Sequence, residues 1–455
     1  MSEQNLEVCI LAAGMGTRMK STVPKVLQRL AGKPLLGHLL ASAQTLGPKK
    51  IHVVVGPEGE SLKTVFCDDG INWVTQTERR GTGHALIQAL PDIGDNSKVL
   101  ILLGDAPLVS ARLMKSLIEG DTPLSVLTVR LDDPTGYGRI VRSGSDRISQ
   151  IVEDRDVNEA QGKINEINTG VMAADVNGLR EWLPQLKSDN AQNELLLTDL
   201  VSIASSADLC VRPVLTEDAV EVAGVNSFAQ LAELERALQR RYAHDLMNEG
   251  VHIVDPDRFD LRGELFCGRD VFIDVNNVFE GDVTLGDGVQ IGANCRVINS
   301  VIERGSVIKD HSHLEGCQVG PESQVGPFAR LRPGTVLRES VAIGNFVEVK
   351  NSEIGKGTKA SHLTYLGDAS IGELVNVGAG TITCNYDGID KHCTRIEDHV
   401  FVGSNTAFVA PVVIGAGSTI GAGSTITKDV KEGVLALSRG KQKSIINWKR
   451  PEDEK

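Results

Sequence analysis

The sequence predicts an α/β domain with a mainly parallel sheet, then one amphipathic helix, then a parallel β-helix. Three observations carry this reading. Up to about Asn226, apolar strand-like runs alternate with helix-like stretches. From Ser227 to about Gly250, apolar residues recur at steps of three and four. Beyond Gly250, an aliphatic residue followed by a small or polar one returns every six positions. A chain of 455 residues has room for this division at roughly 150 residues per domain.

In the first segment Ile51–Gly56, Lys98–Asp105 and Pro123–Val129 read as buried strands, and His38–Gly47 and Gly83–Asp92 as helices. Such alternation implies strands that run mostly parallel. In these sheets ligands sit beyond the carboxyl ends of the strands. The loop Leu11–Lys25 follows the apolar run Leu6–Ile10, and Gly104-Asp105 ends another. Both are therefore expected at one edge.

In the second segment Phe228, Leu231, Leu234, Leu238, Tyr242 and Leu246 form the apolar stripe of a helix. Ser227 can cap its start, and Gly250 can close its end. In the third, Leu285, Ile291 and Val297 keep a step of six. So do Val325, Leu331, Leu337, Ile343 and Val349, and later Val402, Phe408, Ile414, Ile420 and Ile426. Each aliphatic residue points inward at one face of a prism, and the small residue after it permits the corner. Three hexads complete a coil, so stacked neighbours lie about 18 positions apart. Thr383–Arg395 breaks the repeat and is expected to bulge out as a loop that carries function.

A formal net charge of −13 disfavours a nucleic-acid partner and leaves anionic small substrates to local Lys and Arg. The eight cysteines contain no C-x-x-C pair, which points to free thiols rather than zinc. Glu3 and Glu7 do not suit a signal peptide, and no apolar run approaches the roughly 18 residues of a membrane span. The expectation is a cytoplasmic protein with no membrane insertion.

The loop L-A-A-G-M-G-T-R-M-K-S-T-V-P-K raises the first chemical question. Met19 stands at the third glycine position of a dinucleotide fingerprint, and Gly14 and Gly16 are too close for a P-loop. A plain strand-to-helix turn could use the same glycines. Gly14 and Gly16 would let backbone N–H groups approach a phosphate, with Arg18 and Lys25 adding positive charge. Asp105 is either a helix cap or a Mg²⁺ ligand. In the third segment Arg332 and Lys350 are one coil apart and are expected to present two cations to one phosphate. His362 is either an ordinary surface histidine or a base; Lys350, Tyr365 and the breaking loop nearby favour the base.

Together the opening loop, Gln76–Ala85, Leu102–Leu108 and Glu166–Gly170 resemble the sugar-1-phosphate nucleotidylyltransferases. The hexads resemble those of the hexapeptide acyltransferases, whose parallel β-helix is left-handed. Over essentially its full length the chain resembles bacterial bifunctional N-acetylglucosamine-1-phosphate uridylyltransferase/glucosamine-1-phosphate acetyltransferases.

That resemblance implies a Rossmann-like nucleotidyltransferase domain over 1–228, a linker helix over 229–249, and a left-handed β-helix acetyltransferase domain with a C-terminal tail over 250–455. It implies that Leu11, Ala12, Ala13, Gly14, Gln76, Gly81, Thr82, Leu103 and Gly104 hold the uridine nucleotide. Arg18 and Lys25 would neutralise its triphosphate. Gly138, Glu153 and Asn168 would hold the sugar, and Asp105 and Asn226 would bind Mg²⁺; Asn226 could otherwise cap the linker helix. His362 would be the acetyl-transfer base, oriented by Glu348. Arg332, Lys350, Tyr365 and Asn376 would bind glucosamine 1-phosphate. Asn385 and Tyr386 would meet the reacting acetyl group, while Ala379, Ser404, Ala422 and Arg439 would hold acetyl-CoA. The basic tail Ser438–Arg450 would either help with the CoA phosphates or simply be solvated.

The implied product, from UTP, acetyl-CoA and glucosamine 1-phosphate by way of N-acetylglucosamine 1-phosphate, is UDP-N-acetylglucosamine for peptidoglycan and lipopolysaccharide synthesis. Relatives of this kind form homotrimers. Two positions depart from the family pattern: Leu103 replaces a frequent aromatic residue, and Asp154–Asp156 reads D-R-D. The alternatives are another sugar-1-phosphate nucleotidylyltransferase with a regulatory β-helix, or a non-catalytic scaffold.

Overall fold

The computed structural model describes residues 5–67 and 70–448. The chain divides into two compact units, Met1–Ala237 and Leu238–Lys455.

The first unit is built on a nine-stranded sheet. Its strands are β1 (Asn5–Leu11), β2 (Lys50–Val55), β3 (Ile71–Thr75), β4 (Ser97–Leu103), β5 (Leu124–Arg130), β6 (Arg139–Arg142), β7 (Ile148–Val152), β8 (Glu166–Asp175) and β9 (Val211–Thr216). The order is β9-β5-β8-β4-β1-β2-β3, with β6 joining β8 and β7. β1 is central because both its faces are apolar. Val8 and Ile10 pack in one layer with the helix Leu35–Gln44. Cys9 and Leu11 pack in the other with the helix Thr82–Ala89. A strand covered on both sides reads as a continuous apolar run, as this one does.

β1 runs parallel to β2 and β4, β2 to β3, and β5 to β9. β8 is antiparallel to both β4 and β5, so the sheet is mixed. Alternation of apolar runs does not reveal the direction of a buried strand. The chain turns to opposite sides of β1, placing the loops after β1 and β4 side by side at a carboxyl edge where α/β folds bind ligands.

The helix Phe228–Asn248 starts with Ser227 Oγ accepting from the Gln230 N–H at 3.2 Å. Its first half belongs to the first unit, where the Ala31 N–H donates to Glu235 Oε2 at 2.7 Å. Its second half belongs to the second unit. There the buried Gln239 amide both donates to the Leu261 carbonyl (2.8 Å) and accepts from the Leu261 N–H (2.7 Å).

The second unit is a stack of short parallel strands. Val278 lies beside Arg296, and Leu331 beside Val349, each one coil on. The hexad aliphatics are buried in one continuous core. Their small followers act differently from the expectation. A Cβ on Gly344 would collide with the Ser361 backbone, and one on Gly403 would come within 2.5 Å of Ala422 N. These glycines let neighbouring coils approach. The left-handed turn itself falls elsewhere, on some glycines such as Gly305 (φ 68°) and Gly357 (φ 69°) and on non-glycine residues such as Phe346 (φ 56°) and Leu363 (φ 47°).

The repeat breaks after Cys384. His392 N–H donates to the Asn385 carbonyl at 2.8 Å, and Tyr386 bridges Lys391, closing a compact loop before Thr394. All eight cysteines are free thiols, and Cys384 and Cys393 are exposed. Burial pushes the Cys9 thiol up to about 12 and the Cys317 thiol up to about 11. Among the described residues no helix is long and apolar enough to cross a membrane. Glu3 and the tail pair Lys449-Arg450 lie outside the described residues.

Candidate functional site

At the carboxyl edge of the first unit lies a cavity of about 380 Å³. Leu11 to Gly14 form one wall, and Gln76, Gly81 and Thr82 another. Leu103, Asp105 and Lys25 complete it. Gly104 serves differently: its N–H donates to the Leu11 carbonyl at 2.9 Å, and a Cβ there would come within 3.1 Å of Ala12 Cβ. A Cβ on Gly14 would meet nothing within 4 Å, so that backbone is open to a ligand. Gly81 adopts φ +103° at the start of its helix, where a Cβ would come within 2.5 Å of the Leu195 carbonyl oxygen.

The charged centre is Lys25. Its Nζ lies 2.5 Å from Asp105 Oδ2 and 3.1 Å from Asn226 Oδ1. Two oxygen donors from distant parts of the chain thus converge on one cation. One carboxylate and one amide, leaving room for substrate phosphates, suit Mg²⁺. The ammonium stands where such an ion fits. Neither donor is a helix cap. Ser110 caps the helix Ala111–Ile118, and Ser227 caps the helix after Asn226. Backbone bonds fix the pair: Val225 N–H donates to the Asp105 carbonyl, and Asn226 N–H to Gln230 Oε1, both at 2.8 Å. Gly16, at φ +60°, leaves space for Lys25; a Cβ there would fall 2.7 Å from Lys25 Cβ.

Arg18 is exposed on the turn Thr17–Met19 and is not part of the cavity wall. Arg79 is, and sequence reasoning did not single it out. Its Nε donates to the Ala13 carbonyl at 2.7 Å while its guanidinium pairs with Glu58. It stood inside the motif Gln76–Ala85, but no spacing marked it.

Gly138, Glu153 and Asn168 come together outside that wall. Asn168 N–H donates to the Gly138 carbonyl at 2.8 Å, and a Cβ on Gly138 would lie 3.7 Å from Glu153 Oε2. Thr198 Oγ1 donates to Glu153 Oε1 at 2.8 Å. The β8–β5 register slips between Asn168 and Met172, and Leu103 packs over Gly170 within that slip.

In the second unit one corner forms a column. Asn345 lies beside His362 in adjacent strands. Ala360 pairs with Val377, and the Gly380 N–H donates to the Leu363 carbonyl at 3.0 Å, which places His362 beside Ala379. Asn405 N–H donates to the Ala379 carbonyl (2.7 Å), and Gly423 N–H to the Ser404 carbonyl (2.8 Å). Arg439 Nη1 then reaches the Ala422 carbonyl at 2.9 Å. His362, Ala379, Ser404, Ala422 and Arg439 are therefore successive steps of one ridge.

Arg332, Lys350 and Tyr365 follow along the next face, since Leu331 pairs with Val349 and Glu348 with Tyr365. Asn376 lies on the preceding face, beside Lys359. Each cation is held by an acid: Arg332 by Glu348 at 2.9 Å, Lys350 by Asp368 at 3.7 Å. Asp368 also accepts from the side chains of Asn351 and Asn385. Burial raises the Asp368 carboxyl, but these two amides and then Lys350 and Lys391 hold it below the usual carboxylate range. It stays charged and ties the repeat-breaking loop to Lys350.

One expected contact is corrected. Glu348 pairs with Arg332 and does not hold His362. The His362 Nδ1 partner is Asn345 Oδ1, at 2.8 Å. Glu348 sits three residues along the strand, past the corner, where its side chain meets the Arg332 face. Tyr386 is exposed, with its hydroxyl donating to the Gly388 carbonyl at 2.6 Å.

Family models match three parts of the chain. Residues 8–163 match the MobA-like NTP transferase domain, 261–362 the GMPPB C-terminal domain, and 393–428 the bacterial transferase hexapeptide (six repeats). The chain is 52% identical over 448 residues to the Bifunctional protein GlmU of Azoarcus sp. (strain BH72), covering 98% of this chain and 99% of that one. It is 50% identical over 452 residues to that of Ralstonia nicotianae, covering 99% of each. It is 50% identical over 448 residues to that of Marinobacter nauticus, covering 98% and 99%. A solved UDP-glucose pyrophosphorylase complexed with UDP-glucose aligns with 52% of this chain and 99% of its own, at 19% identity and TM-score 0.43. Half-identity to these relatives from end to end places the chain in the bifunctional GlmU family.

Proposed function

We propose that this chain makes UDP-N-acetylglucosamine in two steps: acetyl transfer from acetyl-CoA to glucosamine 1-phosphate, then uridylyl transfer from UTP to N-acetylglucosamine 1-phosphate. The observation that carries the reading is that one chain holds both the Lys25–Asp105–Asn226 cleft and the His362 ridge. Residues 1–228 perform the uridylyl transfer, 229–249 form the linker helix, and 250–455 perform the acetyl transfer. A nucleotidylyltransferase with a merely regulatory β-helix is not favoured, because such a β-helix has no use for His362 and its ridge.

In the first unit the sugar phosphate oxygen attacks the α-phosphorus of UTP, and the bond to the leaving pyrophosphate breaks. The attacking oxygen is already ionised, so no general base is required. The barrier is crowding of negative charge, and alignment plus cationic stabilisation lowers it. Lys25 and Arg18 supply fixed charge to the phosphates. Asp105 and Asn226 would hold Mg²⁺, which would supply neutralisation of phosphate charge. Leu11–Gly14, Gln76, Gly81 and Thr82 seat the nucleotide; Gly138, Glu153 and Asn168 seat the sugar.

In the second unit Arg332, Lys350, Tyr365 and Asn376 bind glucosamine 1-phosphate. The amine nitrogen attacks the thioester carbon of acetyl-CoA, giving its proton to His362, and the C–S bond breaks to release CoA thiol. Asn385 and Tyr386 face the acetyl group, and Ala379, Ser404, Ala422 and Arg439 hold CoA along the ridge. The protein acts as a cytoplasmic homotrimer; the flat prism faces and the exposed Phe328, Phe346 and Leu363 support association.

Glucosamine 1-phosphate, acetyl-CoA, UTP and Mg²⁺ supplied together should yield both free thiol and pyrophosphate. Thiol without pyrophosphate, or neither, contradicts the reading. Gly16→Ala should lower pyrophosphate release by about 10-fold or more, because the added methyl displaces Lys25 and misplacement near 1 Å costs up to about 10²-fold. Thiol release should not change; an unaltered pyrophosphate rate would remove Gly16 from the account.

A further inference from the structure

The wall of the second site contains a side chain that no expectation included. Asn345 lies one coil before His362, and its Oδ1 is 2.8 Å from His362 Nδ1. Gly344 makes this possible, since any Cβ there would strike the Ser361 backbone and force the two coils apart. Asn345 and His362 line one surface cavity of about 310 Å³ with Lys309, Gln324 and Ser361.

We propose that Asn345 is the positioning residue that makes His362 a one-sided base, rather than a carboxylate doing so. The inference rests on His362 being the acetyl-transfer base.

A neutral imidazole carries a proton on one nitrogen and a lone pair on the other. An amide oxygen facing Nδ1 accepts from Nδ1–H, and Nε2 is left with the lone pair. When Nε2 takes the proton released as the amine nitrogen bonds to the thioester carbon, Nδ1–H keeps the same partner. The ring does not have to turn. A carboxylate in that place would also orient the ring, but its charge would favour the imidazolium and reduce the free base near neutral pH. An uncharged acceptor avoids this.

The ionisable groups near the ring fit the same picture. Glu348, on the strand before, is engaged by Arg332. Lys309 shares the cavity and donates to Gln324 Oε1 at 3.2 Å. Lys359 and Tyr365 lie on the strand of His362 itself. Asp368, farther along, is engaged by Lys350 and two amides.

The test uses the full chain and two variants. Asn345→Ala should lower kcat for thiol release roughly 10- to 100-fold, at or below the about 10²–10⁴-fold at stake in the base itself, with KM for glucosamine 1-phosphate little changed. Asn345→Asp should recover much of kcat but move the acid limb of its pH profile upward by about one unit, as an adjacent opposite charge does. Pyrophosphate release from N-acetylglucosamine 1-phosphate and UTP should be the same in all three proteins, which reports that each is folded. Full thiol release in Asn345→Ala overturns the proposal. So does an Asn345→Asp profile whose acid limb stays in place, which would mean that the side chain only supports the corner. If the unsubstituted protein releases no thiol at all, the base assignment itself fails.

Discussion

His362→Ala should abolish thiol release and leave uridylyl transfer at its full rate. General base catalysis contributes about 10²–10⁴-fold, so the loss should fall in that range or reach the detection limit. His362 is exposed, and among the described residues its side chain bonds to Asn345. Removing it opens no cavity in the core, which is built from the inward aliphatics of the hexads. The effect is therefore chemical, not a consequence of unfolding. The nucleotide cavity is built from first-unit residues alone, so pyrophosphate release from N-acetylglucosamine 1-phosphate and UTP should persist. A parallel loss of both rates would mean that the two chemistries share a site. Retention of thiol release would remove His362 as the base.

Lys25→Gln and Asp105→Asn should each produce the converse. Uridylyl transfer depends on charge placed where charge develops, and removing one such group costs about 10²–10³-fold. Lys25 is nearly buried and closes on Asp105 at 2.5 Å. Breaking a buried pair leaves its partner uncompensated, so some loss of stability in the first unit should accompany the loss of rate. Thiol release separates the two effects: it should continue, because the β-helix has its own core. If Lys25→Gln keeps normal pyrophosphate release, the ammonium is a structural ion pair and the triphosphate assignment is wrong.

The β-helix was legible because its signal repeats. Leu331, Leu337 and Ile343 must each point inward, and periodicity exposes that constraint. The ridge was not legible from periodicity: its residues came from the family resemblance, and the observed step from His362 to Ala379 is 17 positions, set by the Ala360–Val377 pairing, rather than about 18. The cavity was legible through loops that end apolar strands, Leu11–Gly14 and Gly104-Asp105. What escaped were single polar residues defined only by a distant partner. Arg79 pins the Ala13 carbonyl, Gln230 holds the Asn226 N–H, and Asn345 meets His362. Neither the coil register of Asn345 nor the motif around Arg79 says which distant atom the side chain meets. The resemblance implied Glu348 as the group that orients His362, and nothing in the sequence pointed to Asn345. The corner at Phe346 turns Glu348 toward Arg332 instead. The antiparallel course of β8 escaped because a buried strand looks the same in either direction.

The central claim is that the second unit makes the substrate that the first unit uses. Pyrophosphate release from glucosamine 1-phosphate, UTP and Mg²⁺, measured with and without acetyl-CoA, tests it directly. The account predicts no pyrophosphate without acetyl-CoA, and with it a burst of thiol followed by pyrophosphate after a lag. Pyrophosphate release at the same rate in both mixtures would contradict it.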